Sequence, residues 1–331
     1  MKPTLPRHSA GSFELKGGIG PITAMCSCGE FLEIYKVDKT FRIQTPESID
    51  PQETNPDAPW VASLISDVGS SNSIVARVFL QGYEILQAAA FDGELDKDAI
   101  AKHLHSCKET LLACERMAET VGGHIDRIVA DINERGIPKD NHGRGLNPFP
   151  QVPNLDTDCG TFLVQANRAI KLISELPQLF ISLDRLDSNF DHLAKRLGTI
   201  VGEDSPLVRF VRDNALVIRY LIDLRNFHEH PKNIKTIIQN FHVIPSGVIQ
   251  APIWQLVGTG DQEARPVKDE MHAAIVFLIQ VAEAMLIHLV MHRISPQFSF
   301  VVEEIPDEQV DPKLPMKYRL TIDTTKFKMA P

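Results

Sequence analysis

Asp223-Leu224-Arg225-Asn226-Phe227-His228-Glu229-His230-Pro231 closes an apolar run that begins near residue 206. The run reads as one long helix, and Pro231 reads as its stop, because proline cannot continue the hydrogen-bonded ladder. A helix of this length that is apolar along much of one side needs partners to bury it, and the neighbouring segments are also helix-like. The expectation drawn from this stretch is a mainly α fold, with a helical bundle in the C-terminal half.

The residues that end the run carry chemistry. Arg225 offers a permanently charged planar fork matched to phosphate oxygens. Histidine side chains as a class titrate near neutrality, so one at 230 can take a proton from a ribose 2′-hydroxyl or give one to a leaving oxygen. Asn226 can hold a phosphate oxygen or fix an imidazole tautomer. Together the three could cleave a phosphodiester without a metal. The same residues have a purely architectural account: Arg225 complements the helix C-terminus and His230 sits at the surface before the proline. At about 100° per residue, Arg225 and His230 stand about 140° apart on an unbroken helix. Proline at 231 disfavours α geometry at His230, so the helix is expected to turn there and let the imidazole swing back. The same projection puts Arg212, Arg219, Asp223 and Asn226 on one stripe. It reads either as the lining of a phosphate-binding cleft or as a solvated face with Arg219 and Asp223 paired at i,i+4.

The arginine, the asparagine after it and the histidine four residues beyond resemble the R-x4-H signature of the HEPN superfamily. The resemblance covers about residues 158–331 and rests mainly on Arg225 to His230. It implies a HEPN-like helical domain and a metal-independent endoribonuclease, possible roles being toxin or antiviral-defence effector. Arg225 would stabilise the phosphate, Asn226 would orient it and His230 would be the general acid/base. Arg212, Arg219 and His228 would contact substrate, with His228 able to stand in for His230. The implied partners are an RNA substrate, a second copy of the chain that completes a shared cleft, and an antitoxin or regulatory protein. The superfamily also contains non-catalytic modules, so the alternative is a nucleotide- or partner-binding protein. Control by modification of a tyrosine soon after the histidine is not implied here, because Pro231-Lys232-Asn233 follows.

At 331 residues, 43% apolar and 23% charged, the chain has the make-up of a globular protein with one large or two ordinary domains. The net charge of −9 argues against a general nucleic-acid-coating role, though not against one local basic cleft. Residues 1–20 are polar and rich in glycine and proline, with no apolar core of a secretory signal, so a cytoplasmic protein is expected. Residues 273–290 imitate a membrane span, but Gln280, Glu283 and His288 interrupt them. A core helix with no membrane partner is the more economical reading. The five cysteines (Cys26, Cys28, Cys107, Cys114, Cys159) are scattered and odd in number, which fits reduced thiols.

Along the chain, residues 31–37 and 40–43 alternate around Asp38-Lys39 and predict a β-hairpin. Residues 45–60 read as a proline-studded connector anchored by Trp60. Helices are expected from Asn72 or Ser73 to about 91, and from Asp96 or Asp98 to 135, with a bend allowed at Gly122-Gly123. Residues 136–157 turn polar and hold Lys139, His142 and Arg144: a linker, or a loop over a cleft. This divides the chain into an N-terminal region, 1–150, and a HEPN-like domain, 151–331. Further helices are expected at 161–176, 177–197, 206–227 and 267–293. Hairpins are expected at 241–250 around Pro245-Ser246-Gly247 and between 298–302 and 318–322. The fold class is therefore mainly α, decorated with small antiparallel hairpins at both ends.

Other constellations are weaker. Cys26-Ser27-Cys28 offers two soft ligands but lacks a second pair at finger-like spacing. His288 and His292 stand at i,i+4 without the H-E-x-x-H pattern. His103 and His105 face different sides of their helix, and Cys107 and Cys114 read as core. Gly17-Gly18-Ile19-Gly20 lacks the lysine of a phosphate loop. No metal and no cofactor is therefore expected.

Overall fold

The computed structural model describes residues 7, 14–29, 31–139, 143, 145–183, 189–258 and 263–323. Two compact units emerge: Met1–Lys108 with Leu176–Ser182 and Glu283–Pro331, and Glu109–Glu175 with Leu183–Ala282.

The first unit is built on a four-stranded antiparallel sheet in the order β1 (Ala24–Ser27), β2 (Phe31–Tyr35), β3 (Thr40–Gln44) and β4 (Val61–Ser66). The expected hairpin is there, with Phe31 opposite Gln44 and Tyr35 opposite Thr40. Alternation places Ile34, Phe41 and Ile43 in one apolar cluster with Leu15 and Leu32. Glu33 and Tyr35 are also fully buried. The connector between β3 and β4 is not plain coil: Thr45 caps a one-turn helix, α1 (Pro46–Ile49). The Arg7 guanidinium bonds the Pro46 carbonyl at 2.8 Å and the Asp50 carboxylate at 2.8 Å. Trp60 does not anchor it, being 48% exposed.

Asn72 does start the next helix, its Oδ1 accepting from Ile74 N–H at 2.8 Å. The first turns, Ile74–Leu80, are wound as a π-helix that runs into α2 (Gln81–Ala88). The long helix α3 (Lys97–Arg135) passes Gly122-Gly123 without a break. Its Lys108 is almost wholly buried. The Lys108 ammonium bonds Glu33 Oε2 at 3.0 Å and the Tyr35 hydroxyl at 3.0 Å.

The second unit contains α4 (Leu155–Glu175), α5 (Phe190–Val201) and α6 (Pro206–Glu229) besides residues 109–135 of α3 and the helical residues 267–282, and α6 packs on both α4 and α5. Leu207, Val208, Val211, Ala215, Ile218, Leu221 and Leu224 make the buried stripe of α6 at helical spacing. The expected helix over 177–197 is replaced by a short 3-10 turn, Leu176–Leu179, and the later α5; residues 184–188 lie outside the described ones.

The remainder of this unit corrects the fold class. Strands β5 (Lys235–Gln239), β8 (Ile253–Val257) and β9 (Arg265–Pro266) form a three-stranded sheet. Strands β6 (His242–Val243) and β7 (Ile249–Gln250) make the hairpin expected at 241–250. The sheet packs onto the helices: Trp254 is fully buried against Phe162 of α4, ring centroids 6.1 Å apart. Thr236 Oγ1 donates to the Leu224 carbonyl at 2.8 Å, which ties β5 to α6.

Helix α7 (Val267–Arg293) is the one described helix long and apolar enough to cross a membrane, and 61% of its most apolar window is buried within the fold. Its Glu283 is buried but not orphaned. Arg77 grips both carboxylate oxygens, and Gln81 Nε2 bonds Oε1 at 3.0 Å. Gln81 Oε1 in turn accepts from the backbone of Lys317 and Tyr318, at the start of the hairpin strand β11 (Tyr318–Ile322), which pairs with β10 (Phe300–Glu304). An acid inside an apolar helix thus stitches one end of the first unit together.

The protein is 51% helix and 18% strand, with four separate sheets among the described residues. It is a mixed α/β fold, not a mainly α protein with a helical bundle in its C-terminal half. The hairpins at 31–44, 242–250 and 300–322 were legible. Strands β1, β4, β5 and β8 were not, because none shows the clean apolar/polar alternation of a half-buried strand.

Candidate functional site

The cluster at the C-terminal end of α6 is positioned from both ends of that helix. At its start, Ser205 Oγ accepts from the Val208 N–H at 3.2 Å and Pro206 occupies the first turn, where its missing N–H costs nothing. At its end, the helix reaches Glu229, two residues past the expected 227. His230 is the capping residue, and its N–H still bonds the Asn226 carbonyl at 2.8 Å. Its own backbone, at φ −129° and ψ 62°, has left α geometry, as expected of a residue before proline. Its side chain is exposed.

Arg225 is half-buried and turned toward its own helix. It donates to Asn226 Oδ1 at 3.0 Å and forms an ion pair with Glu229 at i,i+4. Its Nε is buried without a protein partner. His228 lies three residues beyond Arg225, about 60° round the helix, so the two are neighbours on one face where Arg225 and His230 are not. The imidazole Nε2 stands 3.4 Å from Asp156 Oδ1, in the first turn of α4. It also rests on Gly160: a Cβ there would lie 2.7 Å from His228 Cε1. Glycine inside a helix costs about 0.5–1 kcal/mol relative to alanine, and the close approach of the imidazole accounts for it here.

The arginines of the expected stripe are both paired. Arg212 meets Glu203 at 2.7 Å, and Arg219 bonds Asp191 of α5 in place of the i,i+4 partner Asp223. Burial pushes the Asp223 carboxyl up, and Arg219 opposes the shift. The structure therefore brings together Arg225, Asn226, His228 and Glu229 with Asp156, and leaves Arg212 and Arg219 in separate surface ion pairs. His142 and Arg144 lie outside the described residues, and Lys139 forms an isolated bridge with Leu146. The sequence signal that could have found Asp156 and Gly160 is the glycine in an otherwise unbroken helical pattern, four residues after an acid.

Chemically, this arrangement holds an imidazole whose orientation is set by a carboxylate, an arginine one turn away and a second, exposed imidazole at the helix end. Base-plus-orienter geometry of this kind serves proton transfer. Comparison with models of protein families, with curated proteins and with solved structures finds no match to this chain.

Proposed function

We propose that the protein is a metal-independent endoribonuclease of the HEPN type, working in the cytoplasm on an RNA substrate. The observation that carries this reading is the placement of Arg225 and His228 as neighbours on one face of α6, with Asp156 beside the imidazole. His228 takes the proton of a ribose 2′-hydroxyl, and the freed oxygen attacks the adjacent phosphorus. Arg225 faces the developing charge on the phosphate oxygens, and His230 of a second copy, across a shared cleft, donates a proton to the departing 5′-oxygen. The bond between phosphorus and that oxygen breaks, leaving a 2′,3′-cyclic phosphate and a 5′-hydroxyl. Two histidines thus share the work first assigned to His230.

The ion pair of Arg225 with Glu229 favours a second reading, a non-catalytic HEPN-like module that binds a nucleotide or a protein partner. In that case the fork of Arg225 serves the helix end.

The deciding experiment incubates single-stranded RNA with the protein in the presence of a chelator and identifies the product ends. Cyclic phosphate ends, lost in Arg225→Ala and partly restored in Arg225→Lys, are expected, since lysine keeps the charge but not the planar fork. Cleavage of DNA, or activity that returns only with added metal, would exclude this mechanism. An inert protein that still binds nucleotide would select the second reading.

A further inference from the structure

The face of the first unit's sheet that meets α3 holds an unusual set of side chains. Cys26 sits directly across the β1–β2 ladder from Glu33, and Cys28, two residues on, falls on the same face. His105 and Lys108, three apart on α3, come down onto them. Ligand atoms of Cys28, Glu33 and His105 all lie within 4.8 Å of one another. His105 Nε2 is 2.9 Å from Glu33 Oε1. Both cysteines and Glu33 are buried, and only 14% of the His105 side chain is exposed.

We propose that Cys28, Glu33 and His105 form a structural zinc site, which Cys26, whose Sγ lies outside their 4.8 Å cluster, completes by closing in as fourth ligand. Thiolate, imidazole and carboxylate are the donors zinc takes, and a closed structural site wants four of them. The carboxylate is already oriented for the task. Lys108 and the Tyr35 hydroxyl hold Oε2, which turns Oε1 toward His105, and such outer partners are what fix metal-bound carboxylates. The remaining partner on Oε1 is Arg42, at 3.2 Å. Its side chain is 36% exposed and its guanidinium already lies 3.8 Å above the Phe31 ring, so it can leave the carboxylate without being stranded.

Charge favours both thiols as ligands. As each S–Zn bond forms, the thiol releases its proton to water, so two thiols exchange two protons for one dication and the net charge of the buried cluster is unchanged. With Cys28 alone it would gain one positive charge beside Lys108, in a setting where unpaired charge is costly. The site lies outside the α6 cluster, and its failure would leave the ribonuclease reading untouched.

The test uses the full chain loaded with zinc, and separately with cobalt(II), after removal of loosely held metal. About one zinc per chain is expected. The cobalt form should show a thiolate-to-metal charge-transfer band and the intense visible bands of a tetrahedral site. Cys28→Ser should abolish the band, Cys26→Ser should weaken it, and Cys159→Ser, in the other unit, should leave it intact. A cobalt form of the unaltered chain without a thiolate band overturns the site whatever the variants do. So does zinc that stays stoichiometric in the Cys28→Ser,His105→Ala double variant.

Discussion

His228 and His230 separate the roles that the end of α6 can play. Replacing exposed His230 by alanine should change stability by no more than the roughly 0.5 kcal/mol typical of surface positions. Only 18% of the His228 side chain is exposed, so His228→Ala should lower the melting temperature more than His230→Ala does. If both act as proposed, each should lower RNA cleavage by about 10²–10⁴-fold. Gly160→Ala offers an independent check. The new methyl group cannot coexist with the imidazole as it stands, and the ring can swing out at little cost, so the helix should be no less stable while cleavage falls. Unchanged cleavage in Gly160→Ala and His228→Ala would return the acid/base role to His230 alone.

Lys108 is the other residue on which much depends. Burial by itself pushes the Glu33 carboxyl up, but the His105 hydrogen bond and the Lys108 ammonium outweigh it and hold the group well below the usual carboxylate range. A carboxylate whose pKa is depressed by folding stabilises the native state above its unfolded value, about 4.3 for glutamate. That stability is lost as the pH falls below this value and through the folded one. Denaturant unfolding of the zinc-free chain should therefore show stability declining with acid below about pH 4. Lys108→Met should cost about 3–5 kcal/mol at neutral pH, because a buried carboxylate loses its ammonium partner. A variant as stable as the parent would show that His105 and Arg42 suffice. None of this pairing was legible in the sequence. Glu33 alternates with apolar neighbours like any strand residue, and Lys108 looks like any charge on a helix until the sheet is folded against it.

At the scale of elements, α6 is set by its start as much as by its end. Ser205→Ala removes an N-cap and should destabilise the protein by about 0.5–2 kcal/mol, read as a drop in melting temperature. Ser205→Gly should cost only a few tenths of that unit. Equal losses in the two would mean that the cap bond is not what holds the first turn. Stops and caps of this kind were readable beforehand: Asn72 and the region before Pro231 each sit within a residue or two of the boundary they signal. Strands were harder. β4 is exposed along almost its whole length, with Leu64 at 52% and Ile65 at 39%, so apolar residues point both ways and no period-2 pattern arises. In β8, Trp254 and Leu256 go inward, but Ile253 and Val257 on the other face hide the alternation. A strand that lacks polar residues on its outer face cannot be told by period alone from a piece of buried helix.

For the whole molecule, the resemblance at Arg225–His230 implies a homodimer with a shared cleft. On an unbroken helix His230 stands about 140° from Arg225, an angle that two copies of the motif would solve. Sedimentation at micromolar concentration should give twice the 36.9 kDa of the chain. A monomer that still cuts RNA would point instead to the Arg225–His228 pair of a single protomer. A monomer that does not cut would support the binding module. The sequence by itself determined most of the helices, the three hairpins with clear turns, and the arginine, asparagine and histidines able to do chemistry, because these depend on neighbours within a few residues along the chain. Only the tertiary structure decided that the fold is mixed α/β, that Arg225 faces Glu229, that His228 leans on Asp156 and Gly160, and that Glu33 meets Lys108 and His105. Those pairings join residues up to 75 positions apart, and which of the many possible long-range partners is met is set by packing the whole chain, not by any local pattern.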